Sequence, residues 1–172
     1  MKKILIVVDM QKDFVDGALG TEEAQAIVGN VVKKINNFCG DIFVTYDTLC
    51  EKYMETMEGK SLPVKHCIKD TPGWELDLRV KNALEGKKYT AVEKPTFGSA
   101  MLPEIIRDRY NINETEIELI GLCTDICVIS NALMLKAHFP EMKITVDESC
   151  CAGVTPDKHN AAIEVMRSCQ LI

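Results

Sequence analysis

Three residue types that together perform nucleophilic chemistry stand at the ends of short apolar runs. Asp9 follows Ile4-Leu5-Ile6-Val7-Val8, Lys94 follows the run beginning at Tyr89, and Cys127 lies just beyond Glu116 to Ile120. The stretch around Cys127 breaks at Gly121 and then enters a long apolar pattern, Cys127 to Ala137, that reads as a buried helix. A thiol just inside a helix N-terminus meets free backbone N–H groups and the positive end of the helix dipole, and both favour the nucleophilic thiolate. A carboxylate ending a buried strand suits a proton shuttle, and a lysine beside both would hold the thiolate. Taken singly, each residue has an ordinary alternative: Asp9 as a cap or turn former, Lys94 as a solvated surface lysine, Cys127 as a small core residue. Their joint placement sets them apart.

The elements that must position them alternate. Apolar runs at Lys3 to Val8, Ile42 to Tyr46, Tyr89 to Val92, Glu116 to Ile120 and Met142 to Val146 read as strands, with a further short strand at Gln170-Leu171-Ile172. Helical patterns cover Thr21 to Phe38, Trp74 to Leu84, Pro103 to Tyr110, Thr124 to His138 and Asp157 to Cys169. This order predicts an α/β fold: a three-layer α/β/α domain over 1–172 with a central, mostly parallel sheet of five to six strands and right-handed crossovers. Ligand sites in such sheets lie beyond the carboxyl ends of the strands, near the switch in strand order. Asp9, Asp47, Lys94, Cys127 and Asp147 all fall at those ends. Residues 48–73 have no convincing period and contain Gly59, Pro63, Pro72 and Gly73, so they read as a long lid-like loop.

A formal charge of −6 over 172 residues argues against nucleic acid or an anionic membrane as partner. The first apolar run is only five residues long before Asp9, too short for an export signal, and no stretch approaches a membrane span. The expectation is a cytoplasmic protein. Its eight cysteines should then be mostly reduced, with Cys39, Cys67 and Cys169 as small buried hydrophobes. The pairs Cys123/Cys127 and Cys150/Cys151 lack zinc-finger spacing. Of the three histidines, His66, His138 and His159, none is an obvious partner of the trio, and His138 near a helix C-terminus suits a charge–dipole role.

Four segments, Ile6-Val7-Val8-Asp9-Met10-Gln11-Lys12-Asp13-Phe14, Lys94-Pro95-Thr96-Phe97-Gly98-Ser99-Ala100, Gly121-Leu122-Cys123-Thr124-Asp125-Ile126-Cys127-Val128 and Asp147-Glu148-Ser149-Cys150-Cys151-Ala152, resemble the isochorismatase-like cysteine hydrolases, the superfamily that contains nicotinamidases. They run in the family's order across essentially the whole chain. The resemblance implies that Asp9, Lys94 and Cys127 form an Asp-Lys-Cys triad. It also implies a non-proline cis peptide at Leu122–Cys123 and an oxyanion hole from the backbone N–H groups of Cys123 and Cys127. The activity implied is hydrolysis of a small-molecule amide through a thioester, with homo-oligomers as the family's habit.

Against the nicotinamidase pattern, Asp47 and His66 match two metal ligands of that group and Glu58 can supply a third, but Leu49 stands where a histidine is expected. The resemblance therefore implies no obligatory cofactor and at most a weakly bound divalent metal such as zinc. Leu62-Pro63 lacks the tryptophan of many nicotinamidase pockets, leaving Phe14, Phe97 and Leu62 as candidate pocket walls. Two rival readings follow. An isochorismatase proper would cleave a vinyl ether without a nucleophilic cysteine, which the retained Cys127 opposes. A non-catalytic ligand-binding protein would be consistent with the loss at Leu49 but has no need of the trio.

Overall fold

The computed structural model describes residues 1–172. Five strands, β1 (Lys2–Val8), β2 (Asp41–Asp47), β3 (Tyr89–Lys94), β4 (Thr115–Leu122) and β5 (Lys143–Ala152), form one sheet in the order β3-β2-β1-β4-β5, with every neighbouring pair parallel. Seven helices join them: α1 (Lys12–Val15), α2 (Glu22–Asn37), α3 (Met57–Ser61), α4 (Leu78–Leu84), α5 (Met101–Arg109), α6 (Ile129–His138) and α7 (Pro156–Ser168). The alternation within β1 explains the layering. Ile4, Ile6 and Val8 point into an apolar cluster shared with α5, α6 and α7, while Leu5 and Val7 point into a second cluster shared with α1, α2 and α4. Each such side chain removed from water contributes about 1.5–3 kcal/mol, so a strand buried on both faces is fixed in register.

The strand order reverses beside β1, which pairs with β2 on one side and β4 on the other. The carboxyl ends of β1 and β4 thus mark the position where parallel sheets place their ligands. Gly121 makes this junction possible: it sits at φ +121°, and a Cβ there would lie 2.1 Å from the Val8 carbonyl oxygen.

Several boundaries differ from the sequence reading. The sheet has five strands, because Gln170 turns at φ +64° and the tail meets β5 only where the Val146 N–H donates to the Leu171 carbonyl. Strand β5 runs past Asp147 to Ala152 through an irregularity opposite β4. Asp147 therefore leaves the carboxyl edge and pairs with Lys34 at 2.7 Å. Helix α4 begins only after Asp77, whose side chain accepts the Arg79 N–H and caps it. The 48–73 segment is ordered: a 3₁₀ turn (Tyr53–Glu55) and α3 are anchored by a cluster of Leu49, Tyr53 and Ile68, and residues near Leu49 and Ile68 pair in parallel fashion. Cys39 is exposed and Cys169 partly so, because both fall just past helix ends, while Cys67 is buried. No helix is long and apolar enough to cross a membrane.

Candidate active site

Asp9 follows β1 with φ +47°, a conformation uncommon for residues other than glycine. Its placement is over-determined. The Thr45 hydroxyl donates to Asp9 Oδ1 at 2.6 Å, and the Asp9 N–H is 3.2 Å from both the Thr45 hydroxyl and carbonyl oxygens. Lys94 closes β3, and its Nζ lies 2.6 Å from Asp9 Oδ2, 3.5 Å from Asp47 Oδ1 and 3.6 Å from Cys127 Sγ, while donating to the Thr96 carbonyl at 3.0 Å. Asp9, Lys94 and Cys127 are all buried, at 0 %, 1 % and 3 % exposure. The sheet thus assembles the three residues that the sequence singles out.

Cys127 occupies a wide turn (Thr124–Val128) between β4 and α6, closed by the Val128 N–H donating to the Cys123 carbonyl at 3.1 Å. The peptide bond Leu122–Cys123 is cis. The charge state differs from the sequence expectation of a resting thiolate. Burial, reinforced by the Asp9 carboxylate, raises the Cys127 thiol well above its usual range, and Lys94 only partly offsets this. These surroundings favour the protonated thiol, and the Asp9 side chain is placed to take its proton. Burial alone would lower the Lys94 pKa, but the Asp9 and Asp47 carboxylates outweigh it and keep the ammonium charged. Burial also pushes the second acid, Asp47, up to about 6, and Cys123 up to about 12.

A second cluster adjoins the first. Donor atoms of Asp47, Glu58 and His66 lie within 4.8 Å of one another. His66 Nε2 is 3.8 Å from Asp47 Oδ2 and 3.7 Å from Glu58 Oε1. Its Nδ1 is 2.8 Å from the Val64 carbonyl, which can only accept, so Nδ1 donates there and Nε2 is the ring nitrogen turned toward the two carboxylates. Two oxygens and an imidazole nitrogen in this arrangement fit a divalent cation of zinc type. Leu49 contributes nothing to it and packs instead with Tyr53 and Ile68.

The candidate pocket walls separate. Phe14 is in the core with its ring edge-on to His66 at 5.5 Å, whereas Leu62 and Phe97 are about two-fifths exposed. A 650 Å³ cleft lies between α2 and the β5 irregularity, and a 530 Å³ cavity lies beside Leu49, Tyr53 and Pro95; neither is lined by Cys127. Of the remaining histidines, His138 lies 3.1 Å from Arg107, and His159 Nδ1 lies 2.8 Å from the Thr124 hydroxyl behind the nucleophile turn.

Sequence reasoning missed the residues that hold these groups. Gln11 is fully buried, donating to the Asp47 and Trp74 carbonyls and accepting the Asp47 N–H. Asp13 Oδ2 accepts the Cys67 N–H at 2.8 Å and so fixes the residue after His66. Thr45 and Asn131 are further examples. The available signal was a polar residue inside an apolar run, as at Thr45 and Asn131.

Solved structures share this overall fold. The pyrazinamidase of Pyrococcus horikoshii, solved in complex with zinc, is 26% identical with a TM-score of 0.81, covering 99% of this chain and 97% of its own. The nicotinamidase of Bacillus subtilis is 26% identical with a TM-score of 0.80, covering 99% and 98%. The N-carbamoylsarcosine amidase of Thermoplasma acidophilum is 25% identical with a TM-score of 0.76, covering 96% and 92%. No curated protein sequence matches the chain significantly. The family profile described as "Isochorismatase domain" matches residues 3–172. With the parallel sheet and this match over nearly every residue, the chain belongs to the isochorismatase family and is an isochorismatase-like hydrolase.

Proposed function

We propose that this protein is a cysteine-dependent amidohydrolase that releases ammonia from a small-molecule amide. The observation carrying this reading is Lys94 Nζ held between Asp9 Oδ2 at 2.6 Å and Cys127 Sγ at 3.6 Å in a water-excluded site. In the proposed reaction, the Cys127 proton passes to Asp9 as sulfur attacks the amide carbon, with Lys94 offsetting the charge that develops. Backbone N–H groups of Cys123 and Cys127 receive the oxyanion. The C–N bond breaks as protonated Asp9 returns its proton to the departing nitrogen. Water, deprotonated by Asp9, then attacks the thioester carbonyl, and Asp9 returns that proton to the sulfur, releasing the carboxylic acid product. Asp47, Glu58 and His66 would hold a divalent cation, which supplies a Lewis-acid contact for a lone pair on the substrate. The retained thiol argues for this chemistry over vinyl-ether cleavage and over simple ligand binding.

The test is ammonia release from a panel of small primary amides, nicotinamide included, with and without added zinc. Release that is lost in Cys127→Ser supports the proposal. Hydrolysis of a verified substrate that survives this substitution would overturn it.

A further inference from the structure

Lys94 and Cys127 come from distant parts of the sheet. β3 is an edge strand, and β2 and β1 separate it from β4. At about 4.8 Å per strand, the two chain segments start roughly 14 Å apart. Apart from the Lys94–Cys127 contact itself, the hydrogen bonds that tie the β3–α5 loop to the nucleophile turn and α6 all come from Asn131. Its Nδ2 donates to the carbonyl of Cys127 at 2.8 Å and to that of Phe97 at 3.2 Å, and its Oδ1 accepts the Ser99 N–H at 2.9 Å. Asn131 is 1 % exposed. Both of its N–H groups and one lone pair are used, and a reversed amide would set its oxygen against two carbonyls. Between the two loop contacts, Gly98 lies against α6, where a Cβ would meet Met134 Cε at 3.0 Å. The same loop supplies the Thr96 carbonyl that receives Lys94 Nζ.

We propose that Asn131 is a positioning residue: it clamps the Lys94-bearing loop onto the peptide of Cys127 and so sets the separation of ammonium and sulfur. The inference rests on the amidohydrolase reading, in which that separation controls how readily the thiol reacts. Asn131 touches neither substrate nor the reacting atoms; it acts through Lys94 and the Cys127 backbone. The charged groups facing Cys127 are Asp9 after β1, Asp47 at the end of β2 and Lys94 on β3. None is altered by substituting Asn131, so any change in thiol reactivity reports geometry.

The experiment labels the full-length protein with iodoacetamide, itself a small primary amide, across a pH series, and reads each cysteine by mass spectrometry with exposed Cys39 and Cys50 as internal standards. Asn131→Ala and the milder Asn131→Ser are compared with Leu135→Ala, a core truncation on the same helix. A loss of about tenfold in the Cys127 rate is expected for Asn131→Ala, because small misplacements of reacting groups carry large rate costs. Its pH midpoint should move upward toward that of Lys94→Met. Leu135→Ala should lower the unfolding temperature yet keep the wild-type profile. Should Asn131→Ala fail to fold, Asn131→Ser carries the comparison. Wild-type profiles in folded Asn131 variants would overturn the clamp while leaving the amidohydrolase reading intact. Wild-type Cys127 labelling that is indifferent to Lys94→Met would instead overturn that reading, and the clamp with it.

Discussion

The Asp9–Lys94–Cys127 centre and the Asp47–Glu58–His66 cluster adjoin at one lysine, yet they are built differently. The first is drawn from β1, β3 and the turn after β4, so strand register fixes where each side chain emerges. The second takes only Asp47 from a strand, while Glu58 and His66 come from the connection between β2 and α4. That connection holds its shape through its own small apolar cluster and through the Asp13–Cys67 bond. Lys94 links the two, at 2.6 Å from Asp9 and 3.5 Å from Asp47. The contrast teaches that chemistry placed on strand ends is insulated from changes in a loop. Leu49 packs with Tyr53 and Ile68 in that connection and belongs to neither centre.

Substitutions in each centre test that separation. The largest effect is expected from Cys127→Ala, which should reduce amide turnover by at least about 10³-fold, because residues acting as one catalytic unit fail together. Its unfolding curve should stay close to wild type, and a large loss of stability would mean that the thiol is mainly a core group. Lys94→Met should come next, since it strands two buried carboxylates. Loss of one partner of a buried ion pair costs about 3–5 kcal/mol, readable by urea unfolding. The sign with pH follows from Asp47, whose folded pKa is raised to about 6. A carboxylate raised by burial favours the folded state as it protonates, so the Lys94→Met deficit should shrink as pH falls from 7 to 5. A deficit that instead grows would show the lysine is not neutralising these acids.

The second centre gives smaller, local effects. Leu49→His should raise zinc affinity, measured by calorimetry, by roughly tenfold as a fourth ligand is supplied. Cys127 labelling without added zinc should be unchanged, and a coupled change would break the claim of insulation. Asp9→Asn offers the finest probe. Because the Asp9 charge helps hold the Cys127 thiol up, its removal should lower the pH midpoint of Cys127 labelling even while turnover is lost. A midpoint that rises would show that the Asp9 charge does not help hold the thiol up.

Much of the fold was legible because burial on two faces demands continuous apolar runs. The β1 run Ile4 to Val8 and the helical spacing of Val28, Val31 and Ile35 each leave one arrangement open. The ends of elements were less legible. Nothing local in Val146-Asp147-Glu148-Ser149-Cys150 indicates that β5 continues through an irregularity to Ala152, since that path depends on pairing with β4 and on Lys34 receiving Asp147. The 48–73 segment lacks a period because its order comes from contacts with Asp13, Phe14 and its own Leu49–Tyr53–Ile68 cluster.

What the sequence determined by itself is the set of actors and their sheet edge. Residue type and strand period place Asp9, Lys94 and Cys127 at carboxyl ends, and family motifs in order across the chain identify the fold. What only the tertiary structure decided is how they behave together. The upward shift of the Cys127 thiol comes from near-complete burial beside Asp9, which no local pattern encodes. The gathering of Asp47, Glu58 and His66, and the bridging of Phe97, Ser99 and Cys127 by Asn131, join residues far apart in the chain. The physical reason is one of range: periodicity reports which face of an element is dry, whereas charge state and hydrogen-bond partnership are set by whatever the fold brings within about 4 Å.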